Sequence, residues 1–241
     1  MKTVVVIPAR LESSRLPNKV LLDVNGKSLI QRVWERVKSA KKIDEIYIAT
    51  DNQKIVEVVN SFGGNAILTS TKHQSGTDRI AEAVENIDTD LVINVQGDEP
   101  LIDPNLIDSF VELFKNDYEV YFASAMHRIG TLEDLDNPNV VKVISDLKNN
   151  AIYFSRSRIP FSRDGEISVE NYFQHIGIYA YKKDFLLRYS QLPQTYFEKI
   201  EKLEQLRAIE NGFKIRMVET DYRSVGVDTL EDLERVRGLI K

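Results

Sequence analysis

A cluster of cations follows the first apolar run of the sequence. The segment IPARLESSRLPNK carries Arg10, Arg15 and Lys19 and contains no glycine. A dinucleotide-binding turn requires GxGxxG and a P-loop requires GxxxxGK[ST], so neither kind of phosphate site is encoded here. Guanidinium and ammonium groups on side chains can instead contact a triphosphate. The same residues would also suit an ordinary solvated surface loop.

Two aspartates follow apolar runs, each where a strand should end. Asp98 comes after LVINVQG, and Asp228 comes after SVGV. Mg²⁺ prefers one or two carboxylates together with water and phosphate oxygens, so this pair predicts a magnesium site. A structural alternative stays open for both aspartates. Thr229 and Asp232 resemble a capping box that starts a helix, and residues 97–100 are also a good turn.

A third polar segment, KHQSGTDR, spans residues 72–79. Its functional interpretation is a base pocket, because the backbone around Ser75 and Gly76 can approach a planar base where no Cβ intervenes. The alternative is that Ser75 or Thr77 caps a helix that begins near Asp78.

The second half of the chain offers further polar groups. The segment YFSRSRIP carries Arg156 and Arg158, and in QHIGIYAY the residues His175, Gly177 and Tyr179 alternate onto one face of a predicted strand. That face could line a pocket. In addition, three residues share one side of a predicted helix by their spacing, although a solvated charged face is the commoner cause of such a pattern: Glu201, Glu204 and Gln205.

The elements that must position these groups alternate in type along the first half. Uniformly apolar runs such as VVVI and LVINV predict strands buried on both faces, and amphipathic stretches between them predict helical crossovers. The expected fold is therefore α/β, with a doubly wound, mostly parallel sheet. The predicted strands and helices cover 3–7, 29–40, 43–50, 54–62, 66–68, 79–87 and 91–95. Ligands of such sheets bind beyond the carboxyl ends of the strands, where segments 8–19, 50–52, 71–77 and 96–100 should converge.

The second half is less regular. Its predicted strands are 119–127, 141–145, 172–181 and 215–219, with a hairpin turn at 148–150. Its predicted helices are 198–211, ended by Gly212, and 230–240. The prediction is a single domain over 1–241, in which residues from about 120 to 215 contain a smaller inserted subdomain.

Composition excludes several classes of protein. The net charge of −5 argues against a nucleic-acid partner. The absence of cysteine and the scatter of only three histidines exclude disulfides and the usual zinc or iron–sulfur clusters. The first apolar run, which lies within residues 3–7, is too short for a signal peptide or a membrane span, so we expect a cytoplasmic protein.

Taken together, the ordered motifs resemble those of CMP-Kdo synthetases, which activate the sugar acid Kdo (3-deoxy-manno-octulosonate). The similarity runs through nearly the whole chain: IPARLESSRLPNK, ATD, KHQSGTDR, NVQGDEP, NPNVVKV, YFSRSRIP, HIGIY, LEQLR and GVDTLEDLERVR. Single pieces are shared with other nucleotidyltransferases, whereas the ordered set is more specific. The resemblance implies a nucleotidyltransferase sheet, a sugar-binding and dimerisation subdomain, CTP and Kdo as substrates, Mg²⁺ as cofactor and a homodimer.

The resemblance also implies roles for individual residues. Those implied at the CTP phosphates or around the nucleotide are Arg10, Arg15, Lys19, Ser75, Gly76, Arg79 and Gln96. Those implied on the sugar side are Gln96, Arg156, His175, Tyr179, Glu204 and Gln205. Asp98 and Asp228 would hold Mg²⁺ and, with Arg15 and Lys19, take part in catalysis. No side chain stands out as a general base.

Two alternatives to this function stay open. The chain could be a sibling cytidylyltransferase that acts on an amino-substituted Kdo or on sialic acid. It could also be a nucleotide-binding regulatory module without turnover, although both aspartates and all three phosphate cations argue against that. A dehydrogenase is excluded by the missing glycine fingerprint.

Overall fold

A computed structural model describes residues 1–11, 16–73, 75–165 and 168–240. Its strands, in chain order, are β1 (Thr3–Ala9), β2 (Asp23–Val24), β3 (Lys27–Ser28), β4 (Glu45–Thr50), β5 (Asn65–Leu68), β6 (Leu91–Asn94), β7 (Phe122–Arg128), β8 (Lys142–Ser145), β9 (Ala151–Ser155), β10 (Phe173–Lys182) and β11 (Arg216–Glu219). Its α-helices are α1 (Leu29–Lys38), α2 (Gln53–Ser61), α3 (Gly76–Val84), α4 (Pro104–Asn116), α5 (Leu132–Asp136), α6 (Lys183–Tyr189), α7 (Tyr196–Glu201), α8 (Leu206–Glu210) and α9 (Leu230–Leu239).

One large sheet organises these elements. Its strands lie in the order β11-β7-β10-β6-β1-β4-β5, and the β8–β9 hairpin is attached through β10. The four neighbouring strands β6, β1, β4 and β5 are parallel to one another, and β11 is parallel to β7. Strand β10 runs antiparallel to both of its neighbours in this order, β7 and β6. The predicted mostly parallel sheet is confirmed, with β10 as an antiparallel insertion near its centre.

Helices cover both faces of the sheet. Alternate residues of β1 separate into two cores: Val5 and Ile7 pack with α1, α2 and α4, while Val4 and Val6 pack with α3, α6 and α8. Because apolar strand residues are buried on both sides, the run VVVI has no polar alternation. This is the doubly wound arrangement that the sequence predicts. Helix α4 was not predicted, although Asp103 caps it and Pro104 begins it.

Two predicted elements were wrong. A continuous helix over 198–211 is instead two short helices, α7 and α8, because Lys202 adopts a left-handed conformation with φ of 54° between them. Glu198 and Arg207 form a buried ion pair across this break, which holds α8 against α7. Consequently Glu201, Glu204 and Gln205 do not share one side of a helix. The run SVGVD is also not a strand, so Asp228 follows an irregular segment.

The aromatic strand β10 is covered within the chain itself. It lies between β6 and β7, and Tyr181 is only 1% exposed. Because β10 is paired on both edges, it needs no second copy of the chain to complete its hydrogen bonds. Within the predicted subdomain, β7, β10 and β11 belong to the central order of the main sheet, and the β8–β9 hairpin joins that sheet through β10. The division of the chain into domains stays a prediction.

Candidate functional site

The loops after the parallel strands meet at one edge of the sheet. Pro8, near the end of β1, lies between two of them: a Cβ on Gly76 would come 3.5 Å from the Pro8 ring, and a Cβ on Gly97 would come 2.8 Å from the Pro8 carbonyl oxygen. A contact of 2.8 Å is too short for a real side chain, so the loop after β6 requires glycine at residue 97. The predicted convergence is confirmed for the described parts of segments 8–19, 71–77 and 96–100.

An ammonium group bridges the two aspartates at this edge. The Nζ atom of Lys19 lies 2.6 Å from Oδ2 of Asp98 and 3.0 Å from Oδ1 of Asp228. Burial opposes the charged form of Lys19, but attraction to Asp98 and then to Asp228 outweighs it, so the pKa of Lys19 is raised. The tertiary structure thus brings together three predicted residues from distant parts of the chain.

The alternative explanation for Asp228 is also partly correct. Thr229 and Asp232 form the predicted capping box at the start of α9, with Asp232 N donating to the Thr229 hydroxyl at 3.1 Å. The carboxylate of Asp228, however, does not form this cap but contacts Lys19. Helix capping and the position of Asp228 next to the cation are therefore compatible.

The donors at this point suit a magnesium ion. One oxygen from each of Asp98 and Asp228 already faces a common cation, the Lys19 ammonium, and hard carboxylate oxygens are what Mg²⁺ prefers. Within the described residues no cluster of three or more His, Cys, Asp or Glu side chains could hold a metal. A metal here would therefore have two protein carboxylates and would complete its shell with water or phosphate.

The other predicted phosphate ligands differ in how they are placed. Arg10 follows β1 directly and is partly exposed beside the crevice. Arg15 lies outside the described residues. Arg79 is fully buried, where it donates to Asp51 at 2.5 Å and to the hydroxyl of Thr69 at 2.6 Å. In this structure Arg79 joins α3 to the loops after β4 and β5.

Ser75 caps helix α3, as one of the two alternatives predicted. Its hydroxyl accepts a hydrogen bond from the Asp78 amide at 3.0 Å, and the helix begins at Gly76. Ser75 also lines a cavity of about 410 Å³ with Asp78, Glu198 and Glu204.

A smaller cavity collects residues from both sets of predictions. Its volume is about 160 Å³, and its lining comprises Gly76, Thr77, Asn94, Gln96, Phe122, Tyr179, Tyr181, Tyr189, Glu204 and Gln205. Gly76 was predicted on the nucleotide side and Gln96 on both sides. Tyr179, Glu204 and Gln205 were predicted on the sugar side. The pocket thus joins the first-half crevice to the second half of the chain.

Glu204 lies where the two cavities meet. It lines both of them, and its Oε1 atom has no hydrogen-bond partner among the described residues. Burial raises the pKa of Glu204, although a hydrogen bond with Thr77 and the charge of Arg207 oppose that rise. A buried acceptor without a partner is costly unless a ligand or water satisfies it, so Glu204 is suited to contact a hydroxyl-rich ligand.

His175 lies behind Tyr179 and does not line either cavity. Its ring is 5.5 Å from the Tyr179 ring, its Nε2 is 2.8 Å from the Ser124 hydroxyl, and its Nδ1 is 3.5 Å from Nε2 of Gln205. Burial lowers the pKa of His175 to about 3, so the imidazole is neutral at physiological pH. The ring can therefore orient Tyr179 and Gln205, which do line the pocket.

Arg156 also lies outside the lining of these cavities. Its Nε donates to the Glu201 carbonyl at 2.7 Å and its Nη1 donates to the Pro138 carbonyl at 2.9 Å. Its amide and the Ser155 hydroxyl bind the Glu201 carboxylate. Arg156 thereby fixes the chain three residues before Glu204.

Several site residues were missed by the sequence analysis. Asn94 is a polar residue inside an apolar strand, and it accepts from Nε2 of Gln96 at 3.3 Å, so it could have been noticed. Tyr181 and Tyr189 gave no signal because aromatic residues are common in cores. Glu99 is largely buried beside Asp98, and burial raises its pKa to about 7 despite a hydrogen bond from Ser224.

The geometry can be compared with known proteins. A model of the cytidylyltransferase family matches residues 4–215. Curated relatives named 3-deoxy-manno-octulosonate cytidylyltransferase include those of Geotalea uraniireducens, 45% identical over 100% of both chains, and Flavobacterium johnsoniae, 46% identical over 100% of this chain and 99% of the relative. The chain belongs to the 3-deoxy-manno-octulosonate cytidylyltransferase family.

Solved structures agree with this family assignment. A CMP:2-keto-3-deoxy-manno-octonic acid synthetase complexed with CTP is 43% identical, with a TM-score of 0.94 over 99% of this chain and 98% of that one. A 4-diphosphocytidyl-2C-methyl-D-erythritol synthase from Anaerococcus prevotii, 16% identical with a TM-score of 0.64 over 99% and 98% of the two chains, shares only the fold. Among the described helices of this family member, none combines the length and the apolar character needed to cross a membrane.

Proposed function

We propose that this protein transfers the cytidylyl group of CTP to the anomeric hydroxyl of Kdo, giving CMP-Kdo and pyrophosphate for bacterial surface polysaccharide synthesis. The observation that carries the proposal is the shared pocket, which brings Gly76 and Gln96 together with Tyr179, Glu204 and Gln205. Gln96 stands two residues before Asp98 in the same loop. A ligand in the pocket would thus lie close to the loop that carries the Lys19–aspartate cluster.

The reaction is an in-line displacement at the α-phosphorus. An oxygen–phosphorus bond forms from the sugar hydroxyl, the bond to the bridging α–β oxygen breaks, and pyrophosphate leaves while the hydroxyl proton passes to solvent. Positioning and charge neutralisation supply most of the rate in reactions of this kind. We assign no side chain as general base.

The cations have a defined task in this scheme. Lys19 would exchange its contacts with Asp98 and Asp228 for contacts with the phosphates of CTP, and Arg10 and Arg15 would add further donors from the same loop. Arginine offers two parallel donors to phosphate oxygens, and lysine acts as a mobile point charge. Once the Lys19 ammonium has moved to the phosphates, the carboxylate oxygens of Asp98 and Asp228 would be accessible to a divalent cation.

Asp98 and Asp228 are proposed as the protein ligands of Mg²⁺. A bound Mg²⁺ would neutralise phosphate charge and lower the pKa of a coordinated hydroxyl. The support is the pair of carboxylate oxygens that already face the Lys19 ammonium. Arg79 and Ser75 would shape the nucleotide side of the crevice, Arg79 through Asp51 and Ser75 through the start of α3.

Specificity for the two substrates is tested together in one experiment. Pyrophosphate release is measured with each of the four nucleoside triphosphates against Kdo, 8-amino-Kdo and sialic acid. We expect CTP with Kdo to give the highest kcat/KM, because a site that hydrogen-bonds the cytosine amine discriminates against uracil. Equal turnover with UTP would contradict the nucleotide assignment. Preference for 8-amino-Kdo or sialic acid would identify a sibling enzyme, and no release with any pair would favour a binding module.

A homodimer and a cytoplasmic location complete the proposal. The dimer is supported by exposed apolar side chains on β9 and α7, namely Ile152, Tyr196 and Ile200, which are 52%, 68% and 61% exposed. Such side chains are often covered by a partner. Light scattering should give about twice the 27.6 kDa of one chain, and a mass of one chain at micromolar concentration would contradict the dimer. The location is supported by the proposed substrate, since CTP is a cytoplasmic metabolite.

A further inference from the structure

The carboxylate of Glu99 connects the two chain segments that carry the aspartates. Its Oε2 accepts a hydrogen bond from the Tyr222 hydroxyl at 3.1 Å, and its Oε1 accepts one from the Ser224 hydroxyl. Tyr222 and Ser224 lie shortly before Asp228, and Glu99 directly follows Asp98. Both oxygens of Glu99 are therefore used in holding distant segments together.

The segment that ends at Asp228 has little regular structure to fix it. Residues 222–228 form neither helix nor strand. Val227 N donates to the carbonyl oxygen of Asp98 at 3.0 Å, and a Cβ on Gly226 would come 3.4 Å from the Glu99 carboxylate. The main chain of this segment therefore packs closely on the loop after β6, and the Glu99 hydrogen bonds lie beside that contact.

We propose that Glu99 is a positioning residue that holds the 222–228 segment against the loop after β6, so that the carboxylates of Asp98 and Asp228 face one cation. The cation is the Lys19 ammonium in the ligand-free protein, and it is Mg²⁺ if the proposed function is correct, on which this part of the inference rests. Hydrogen bonds that orient metal ligands from outside the coordination shell typically change metal affinity by about 10- to 100-fold.

Variants of the three residues separate positioning from general stability. Tyr222→Phe and Ser224→Ala each remove one hydrogen bond while leaving the carboxylate in place, and Glu99→Ala removes both. Glu99→Gln keeps the shape, and its amide can accept from one hydroxyl and donate to the oxygen of the other, so it should preserve most of the contact. If the Tyr222–Glu99 hydrogen bond positions Asp228, adding Tyr222→Phe to a chain that already carries Glu99→Ala should change its Mg²⁺ affinity little further.

Two measurements test the proposal on the folded, full-length protein. The first is the dissociation constant for Mg²⁺ from calorimetric titration, which we expect to rise at least about 10-fold in Glu99→Ala and in Tyr222→Phe, and by less than about threefold in Glu99→Gln. The second is deuterium exchange at the Val227 amide, which we expect to be at least about 10-fold faster in the same two variants. Tyr47→Phe is the matched control, because it removes a tyrosine–carboxylate hydrogen bond, to Glu45, in a different part of the sheet.

The outcomes distinguish this inference from the proposed function. If Asp98→Asn does not weaken Mg²⁺ binding, the metal assignment fails, and exchange at Val227 still decides the role of Glu99. If Val227 exchange and Mg²⁺ affinity in Glu99→Ala and Tyr222→Phe match those of Tyr47→Phe, Glu99 does not position Asp228. Faster exchange at Val227 with an unchanged Mg²⁺ affinity would also overturn the proposal, provided that Asp98→Asn does weaken binding.

Discussion

Replacement of Lys19 by methionine should destabilise the ligand-free protein and yet strengthen its binding of Mg²⁺. In the structure the Lys19 ammonium contacts the same two carboxylates that are proposed to bind the metal. Mg²⁺ must therefore displace the ammonium in the wild-type protein before it can bind. Lys19→Met removes this competition and also leaves two carboxylates without their cation.

The size of each effect follows from how exposed the groups are. The side chains of Lys19 and Asp98 are 12% and 31% exposed, and a hydrogen bond between charged groups of this kind is worth about 1.5–3 kcal/mol. Asp228 is 56% exposed, so its contact adds at most about 1 kcal/mol. Methionine avoids the cost of burying an ammonium, which offsets part of the loss. We expect a net loss of about 1–2 kcal/mol in the free energy of unfolding.

The effect on Mg²⁺ has the opposite sign. If displacing Lys19 costs about 1.4 kcal/mol, the dissociation constant for Mg²⁺ should fall about 10-fold in Lys19→Met. The stability difference between variant and wild type should then shrink as Mg²⁺ is added, because the ligand stabilises the state that binds it. Turnover should fall nonetheless, since a phosphate cation has been lost.

The assay combines urea unfolding at several Mg²⁺ concentrations with calorimetric titration of Mg²⁺. Lys27→Met is the matched control, because Lys27 also pairs with a carboxylate, at 2.7 Å from Glu35, but away from the aspartates. That variant should leave the affinity for Mg²⁺ unchanged. Weaker or unaltered Mg²⁺ binding in Lys19→Met would refute the idea that lysine and metal share one site.

Three further predictions concern other residues. Asp98→Asn and Asp228→Asn should each leave a folded protein whose kcat is reduced at least about 100-fold. Unchanged kcat in Asp228→Asn, with about 1 kcal/mol or less lost in stability, would reduce the role of that residue to its structural contact with Lys19. Arg156→Ala should raise the KM for Kdo at least about 10-fold, because Arg156 holds the chain before Glu204, while the affinity for CTP without Kdo stays within about threefold. Equal weakening of both substrates would contradict this division of roles. Burial lowers the pKa of His175 to about 3 in the folded protein, whereas an exposed histidine in the unfolded chain has a pKa of about 6.5. Below pH 6.5 the unfolded chain therefore binds more protons than the folded protein does. The contribution of His175 to the free energy of unfolding is complete above that pH and is lost as the pH falls. Urea unfolding should show up to about 2 kcal/mol lost between pH 7 and pH 5, and His175→Gln should lack this loss; the same pH dependence in both proteins would exclude His175 as its source.

The pattern of apolar residues along the sequence was sufficient to predict the parallel half of the sheet. Runs such as VVVI and LVINV predicted strands buried on both faces, and the order of those strands brings the ends of β1, β4, β5 and β6 to one edge of the sheet. The same approach failed over 198–211. Helical spacing continued through Lys202, whereas the buried Glu198–Arg207 pair, which forms only in the folded chain, accompanies a break there.

The site residues also divide into those that local sequence predicted and those whose contacts only the folded chain reveals. Lys19 and Asp98 were predicted because each lies in a polar segment that follows an apolar run, but their 2.6 Å contact depends on the parallel pairing of β1 with β6. The role of Glu99 could not be predicted, since its partners Tyr222 and Ser224 are more than a hundred residues away. The resemblance supplied Tyr179, Glu204 and Gln205, and the structure placed these three in one pocket.

The sequence by itself determined which chemical groups are available: cations without a glycine-rich loop, two aspartates after apolar runs, and no cysteine. Only the tertiary structure decided which of them meet. Residue type and local periodicity act over a few positions of the chain, whereas the contacts of Lys19 with Asp228, of Glu99 with Tyr222 and of His175 with Ser124 join segments that lie far apart. Such contacts are set by the packing of helices and strands around a common core, which no single segment encodes.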